Sequence, residues 1–369
     1  MSSKDDQSDL DPRELCRPLP FVELMALEPL NNSHQPSNAT VDDPERAYRF
    51  RSRAVPFSPG DGFMAFGGHV YAQSAYAASK TVDKGFTIHT MTGTFTLPGR
   101  LDVPFVYVVR RIRDGKLYCT RTVDARQGGD VCFTCVCSFK RDEKKQTFSH
   151  QPEAVQQRYK SIMHGKRPED HPASPSVDAD WWIEHVQEGS ITEREFPGVN
   201  VRKVDMKGYN DTEEINRSPE KYRQLSLYSI KGSPEYPATS RDTLDLKNKD
   251  QSGEFDNLYI CAHLYSSDKN SIPLIPRALG NTNFIALASL TLTVIIHQHG
   301  EALRMINWDS VASGDAKDLP KKWFVQEAWT PRSGENRAVH ESWLWSPNGA
   351  LLATTLQDCL FRYPSEEKL

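Results

Sequence analysis

The chain is expected to be an α+β protein made of two tandem units, and three observations carry that expectation. A helical pattern rich in small residues is followed by strand patterns with turn signals between them. A polar, proline-containing stretch comes next. An apolar segment and a second run of strand patterns then repeat the order. One helix followed by an antiparallel meander is an α+β unit, so the repeat reads as an internal duplication in pattern, with little identity between the halves.

The first helix is predicted over residues 68–82. Tyr71, Ala75, Ala78 and Val82 recur at i, i+4, i+7 and i+11, and Gly67-Gly68 supplies a permissive turn into it. The small residues Ala72, Ala75, Ala77 and Ala78 suit a helix held close against a sheet. The strands after it begin with "FTIHTMTGTFTLPG" and the apolar, β-branched "VPFVYVVRRI". Asp114-Gly115 signals a hairpin into "LYCTRTVDARQ", and Gly128-Gly129 turns the chain into "VCFTCVCSFKR". Residues 142–180 hold few large apolar side chains and several prolines, the composition of a linker or surface helix. In the second half "VNVRKVDM" reads as a strand, and a polar loop is expected over about residues 233–255. "NLYICAHLYSSDKNSIPLIPRALG" follows as an apolar segment, a turn at Asp268 and a further apolar stretch. The second helix is predicted over about residues 268–279, shortened or interrupted by Pro273 and Pro276. Three more strand patterns close the chain, with Asn348-Gly349 as a hairpin signal.

These patterns divide the chain into a disordered or loosely packed N-terminus (1–20), a first unit (21–141), a linker (142–180) and a second unit (181–369) carrying the inserted loop. The two sheets are expected to join edge to edge, because exposed edge strands invite association.

Composition narrows the function. The chain has 369 residues, with 45 basic and 49 acidic side chains well mixed, and no basic stripe interleaved with aromatics. Nucleic acid is therefore not an expected partner. The most apolar run, "FIALASLTLTVII", is too short to span a bilayer and rich in β-branched residues, so it reads as a buried strand rather than a membrane segment. The seven cysteines include Cys132, Cys135 and Cys137 inside one strand pattern, with no second Cys or His pair at zinc spacing; no metal is expected. No Gly-x-Ser-x-Gly elbow occurs, so a serine nucleophile has no support. From the residues alone Asp268 is a helix cap, a general base or a solvated loop charge.

At this point the residues resemble the acyl-CoA thioesterase II family. "FGGHVYAQSAYAASKTV" looks like the family's Phe-Gly-Gly helix, and "IHTMTGTFTLPG" and "RIRDGKLYCTRTVDARQGGDVCFTCVCSF" resemble the strands after it. In the second half "YSSDKNSIP", "ASLTLTVIIH" and "GALLATTLQDCLFR" resemble three further strips, in order. The resemblance implies a double hot-dog, in which each unit is a curved antiparallel sheet wrapped on a central helix. It implies hydrolysis of an acyl thioester, carried by CoA or a carrier protein, by activated water and without a cofactor.

The resemblance places the catalytic residues at Asp268, Ser289 and Gln357, with Gly67, Gly68, His69 and Thr291 expected to bind substrate. A carboxylate to take a proton, with a hydroxyl and a carboxamide to orient the water, suits that chemistry. Thr291 and Leu292 stand where the family carries Asp and His. Period-two alternation puts Ser289, Thr291 and Thr293 on one face, which would make that wall less polar and favour a bulkier acyl group. The departure also opens an alternative, a non-hydrolytic step such as cyclisation, dehydration or isomerisation in a specialised pathway. A hot-dog dehydratase pairing is not met, because Pro273 stands where its His would be. The family further implies a homodimer or higher homo-oligomer. Lys368-Leu369 resembles the end of a peroxisomal address, while Glu367 replaces its small residue, so peroxisomal and cytoplasmic residence are both expected.

Overall fold

Twelve strands form one antiparallel sheet in the computed structural model, which describes residues 18–30, 47–59, 64–143, 148–235, 243–310 and 319–364. The N-terminus up to residue 17, and the C-terminal Glu367-Lys368-Leu369, lie outside the described residues. The strands of the first half are β1 (Leu27–Pro29), β2 (Tyr48–Ser52), β3 (Phe86–Phe95), β4 (Val106–Asp114), β5 (Tyr118–Gln127) and β6 (Asp130–Arg141). Those of the second half are β7 (Val199–Lys203), β8 (Gln224–Ile230), β9 (Ala286–Ile296), β10 (Phe324–Gly334), β11 (Arg337–Trp345) and β12 (Leu351–Arg362). Their order is β1-β2-β4-β5-β6-β3-β9-β12-β11-β10-β8-β7. The two sets meet where β3 pairs with β9, from Thr90 opposite Ile295 to Thr94 opposite Thr291. The edges expected to join do so, and each half covers the other's open ladder.

The helices of eight or more residues are α1 (Gly67–Ser79), α2 (Asp180–Gln187), α3 (Thr243–Gln251), α4 (Asp256–Asp268) and α5 (Ser271–Ala278). α1 packs on β3 to β6 and α4 on β3 and β11, and the two helices pack against each other. α1 is buried on nearly every side, from Gly68 through Ala75 and again at Ala77 and Ala78. Its alanines let sheet and neighbouring helix approach from opposite sides. The Gly128-Gly129 turn answers to its sequence signal. Gly128 and Gly129 both take positive φ between β5 and β6. Glu335 and Asn336 do the same between β10 and β11, a two-residue turn matched to the twist of its strands.

The second helix departs from expectation. The predicted helix over 268–279 is two helices, and Asp268 is the last residue of α4 rather than the first residue of a helix. Asn270 then takes the left-handed conformation (φ 65°) and α5 begins at Ser271. The reason lies in burial: every residue of α4 from Leu258 to Asp268 is buried. A helix enclosed on all sides shows no amphipathic period, so its sequence looks like an undifferentiated apolar run. The loop expected over 233–255 contains α3, its residues 236–242 lying outside the described set.

The stretch expected to be a linker crosses the outer face of the second half's strands. Val155 and Tyr159 pack there with Leu225, Leu227, Val325 and Trp345. The Arg158 guanidinium makes a two-pronged ion pair with the fully buried Glu327 (2.9 and 2.6 Å). Among the described residues no helix is long and apolar enough to cross a membrane.

The β3–β9 junction depends on a residue without a side chain. A Cβ on Gly93, which pairs with Leu292, would overlap the ring of Phe133 and stand 3.1 Å from the Cβ of Cys135. Phe133 is fully buried against Tyr71 and Phe95 and cannot swing away. Gly93→Ala is expected to cost about 1–3 kcal/mol of unfolding free energy, the usual range for overpacking. Denaturant titration of the two proteins checks this, and an unchanged midpoint would contradict it.

Candidate active site

The three residues expected to be catalytic converge, although they come from three different elements. Asp268 ends α4, Ser289 lies in β9 and Gln357 in β12. The Gln357 carboxamide Nε2 donates to Asp268 Oδ1 (2.8 Å) and to Ser289 Oγ (2.6 Å). Ser271 Oγ donates to the same Asp268 oxygen (3.2 Å), and the backbone N–H of Gly68 also bonds the carboxylate. Burial pushes the Asp268 carboxyl above its ordinary value; the bonds from Gln357, Ser271 and Gly68 pull the other way without cancelling it. A carboxylate held this way is a stronger proton acceptor than a solvated one.

Gly67 and Gly68 stand beside this group because no side chain fits there. A Cβ on Gly67 would lie 3.1 Å from Asp268 Oδ2, and one on Gly68 would lie 2.5 Å from the Phe66 ring and 3.0 Å from the carbonyl oxygen of Tyr265. The start of α1 is thereby brought against the end of α4.

His69 and Thr291 do not join the site. The His69 imidazole is fully buried and bonds Gln73 Oε1 through Nε2 (3.1 Å). Gln73 in turn donates to the carbonyls of Leu24 and Ala26, and its Oε1 also accepts from Tyr107. This chain ties α1 to residues 21–26, and burial lowers the imidazole's pKa to about 4. The correction at Thr291 comes from a β-bulge. Cys359 pairs with Ser289 but Asp358 pairs with Thr291, so Leu290 is an extra residue that resets the alternation. Ser289 and Leu292 therefore share the inner face with Cys359 and Gln357, while Thr291 shares the outer face with Asp358 and Thr94.

Asp268, Gly67 and Ser289 line a cavity of about 760 Å³ whose walls are mostly apolar. Three further residues shape it and carry no motif in the sequence. Trp181 and Trp182 come from α2, and Lys269 from the turn after Asp268. The Lys269 ammonium donates to the carbonyls of Pro175 (2.6 Å) and Ser176 (2.8 Å) and to Asn270 Oδ1 (2.8 Å). Asn270 Nδ2 donates to Ser174 Oγ (2.9 Å). Asp178 receives Lys203 (2.5 Å) and Arg277 (3.3 Å), and Glu193 accepts from the Ser176 N–H (2.7 Å) and the Trp182 indole (2.9 Å). Residues 174–182 are thus strapped across the cavity, with Trp181 still 42% exposed at its edge. Burial brings the Lys269 pKa down to about 8. Among the described residues no group of three or more His, Cys, Asp or Glu side chains could hold a metal ion.

Residues 56–140 match the family model for the acyl-CoA thioesterase N-terminal domain. Human acyl-coenzyme A thioesterase 8 is 23% identical over 309 residues, 82% of this chain and 83% of that protein. Its mouse counterpart is 36% identical over 97 residues, 26% of this chain and 29% of that protein. Among solved structures, an acyl-CoA thioesterase II from Mycobacterium marinum aligns over 95% of this chain and 99% of its own, at 21% identity and a TM-score of 0.57. A hot-dog protein from Alicyclobacillus acidocaldarius aligns over 93% and 98%, at 15% identity and the same TM-score. The fold is of the hot-dog type, and the resemblance to the acyl-CoA thioesterase II family stands on sequence and fold together.

Asp268 has a cost to stability that pH exposes. Its folded pKa is raised, so the folded state holds the proton to higher pH than the unfolded chain does. Stability therefore falls as pH rises between the unfolded and folded values, and the loss is complete above the folded one. Asp268→Asn is expected to raise the melting temperature at pH 7, with the gain shrinking toward zero below the unfolded value of 3.8. Thermal melts across that range measure it, and a gain independent of pH would contradict the assignment.

Proposed function

We propose that this chain, a relative of the acyl-CoA thioesterases, hydrolyses an acyl-CoA thioester using water held between Asp268 and Ser289, which Gln357 positions. The observation that carries the reading is a buried carboxylate and a hydroxyl at the wall of an apolar cavity, both bonded by one carboxamide buried behind them. Such a cavity suits an acyl chain, with a few polar groups to set its orientation.

In this mechanism the thioester carbonyl lies against the start of α1. The first N–H groups of a helix have no partner inside it, and its dipole favours negative charge there. Asp268 takes a proton from water as the water oxygen bonds to the carbonyl carbon. The oxyanion of the tetrahedral intermediate faces the helix start. Collapse breaks the carbon–sulfur bond, and the proton held by Asp268 passes to the leaving thiolate. Free acid and free thiol result, with no covalent enzyme intermediate. Gln357 binds Asp268 and Ser289 at once, so it sets their separation, and Ser289 Oγ keeps a lone pair for the water. The two halves act as the units of a double hot-dog, residues 21–141 and 181–369, with one site formed where α4 of the second meets α1 of the first.

Hydrolysis is preferred over a rearrangement because the matched family model and the relatives found by comparison are acyl-CoA thioesterases. Leu287, Ala288 and Leu290 make the cavity wall beside Ser289 apolar, whereas Thr291 on the outer face has no part in acyl selection.

Free-thiol release from a panel of acyl-CoAs tests the reading. Asp268→Asn is expected to lose about 10²–10⁴ in kcat/KM, the worth of a general base. The acid limb of the wild-type profile should lie above the ordinary carboxylate range and vanish in the variant. Full turnover by folded Asp268→Asn would refute the assignment. Trp181→Ala, which opens the exposed edge of the cavity, is expected to shift preference toward bulkier acyl groups through KM. An identical acyl preference would remove Trp181 from the selecting wall.

A further inference from the structure

Behind the site lies a buried histidine that the mechanism above does not use. His340 sits in β11 directly opposite Gln357 in β12, on the same inner face. It is 1% exposed, and neither ring nitrogen has a protein hydrogen-bond partner among the described residues. Burial lowers its pKa to about 3, so the ring is neutral wherever the protein is folded and carries one N–H donor and one acceptor. Buried polar groups in native proteins are almost always bonded, which makes an unpartnered imidazole a feature to be explained.

Gln357 presents the complementary deficit. Asp268 is an acceptor only, so the carboxamide must turn its Nε2 toward it, and that nitrogen also reaches Ser289. Its Oε1 is left buried with no partner. The unmet atom on Gln357 is an acceptor, and the opposite residue has a spare donor. Directly opposed side chains in an antiparallel pair have Cβ atoms about 4.5–5.5 Å apart, within reach of one hydrogen bond or one bridging water.

We propose that His340 is a positioning residue: through one water bridging the two unmet atoms its ring N–H holds Gln357 Oε1, and so keeps the carboxamide with Nε2 toward Asp268 and Ser289. Without that bridge a carboxamide flip, which would set Oε1 against the carboxylate, is opposed only by the contacts on one side. The inference rests on the hydrolytic reading for its kinetic consequence and on geometry alone for its structural one.

The test uses the full chain and two variants, His340→Leu, which removes both ring nitrogens, and His340→Gln, which restores a donor and an acceptor. His340→Leu is expected to lower kcat about tenfold, the worth of one buried hydrogen bond, with KM changed less than about twofold. His340→Gln should recover most of that loss. In a Gln357→Ala background His340→Leu should cost nothing further, because the group it positions is gone. A crystal structure of His340→Leu should show the Gln357 carboxamide withdrawn from Asp268 or Ser289. Wild-type kcat in folded His340→Leu, multiplying losses in the double variant, or an unmoved carboxamide would each overturn the proposal. If the wild type hydrolyses no acyl thioester, the functional reading fails, and the crystal structure still decides the role of His340. Should His340→Leu fail to fold, His340→Gln carries the same comparison: a withdrawn carboxamide with wild-type kcat there would overturn it.

Discussion

The meeting of the start of α1 with the end of α4 is the constraint on which the rest depends. Gly67 and Gly68 have no side chains there because Asp268, Phe66 and the Tyr265 carbonyl occupy the space a Cβ would need. This close approach lets a backbone N–H of the first half bond a carboxylate of the second. It also explains why both helices are buried on nearly all sides: each is clasped between the sheet and the other helix. One contact thus makes the halves mutually dependent and builds the polar centre between them.

Holding a carboxylate in that place is unfavourable, and the surroundings show how the fold tolerates it. Gln357, Ser271 and Gly68 each give Asp268 a hydrogen bond, which offsets part of the desolvation penalty and leaves the rest as basicity. Immediately after it, Asn270 takes a left-handed conformation that costs about 1 kcal/mol or more for a residue other than glycine. The turn is retained because Lys269 and Asn270 hold residues 174–176, the start of the strap that puts Trp181 and Trp182 over the cavity. The buried carboxylate, the turn and the cavity wall are joined through these bonds and act as one unit.

The sheet supplies the other half of the centre by a change of parity. A regular strand would send Ser289 and Leu292 to opposite faces; the bulge at Leu290 sends both inward, where Gln357 reaches Ser289. His340, Gln357 and Ser289 then lie on neighbouring strands of one inner face, so the polar atoms near Asp268 are arranged by strand register rather than by a loop. Sites built on regular elements are more exact in geometry than sites on loops.

Much of this is legible in the order of the residues. Turn signals at Asp114-Gly115, Gly128-Gly129 and Asn348-Gly349, and the alternating strands between them, report local backbone preferences, and local preferences are written in consecutive residues. The α+β class, the first helix and the joining of two sheets follow from them. The choice of Asp268, Ser289 and Gln357 rests on strips that resemble a family in the right order. What only the tertiary structure decided are the features that depend on residues distant in sequence. α4 hides its helical period because it is enclosed on all sides, and Asp268 consequently closes a helix instead of opening one. The bulge at Leu290 exists only in register with β12, and it moves Thr291 to the outer face. His69 turns toward Gln73 and the chain near Leu24, and Lys269 owes its place to Pro175 and Ser176, far away along the chain. Sequence determines what each segment prefers; the packing of one segment on another decides which face, which end and which neighbour a side chain receives.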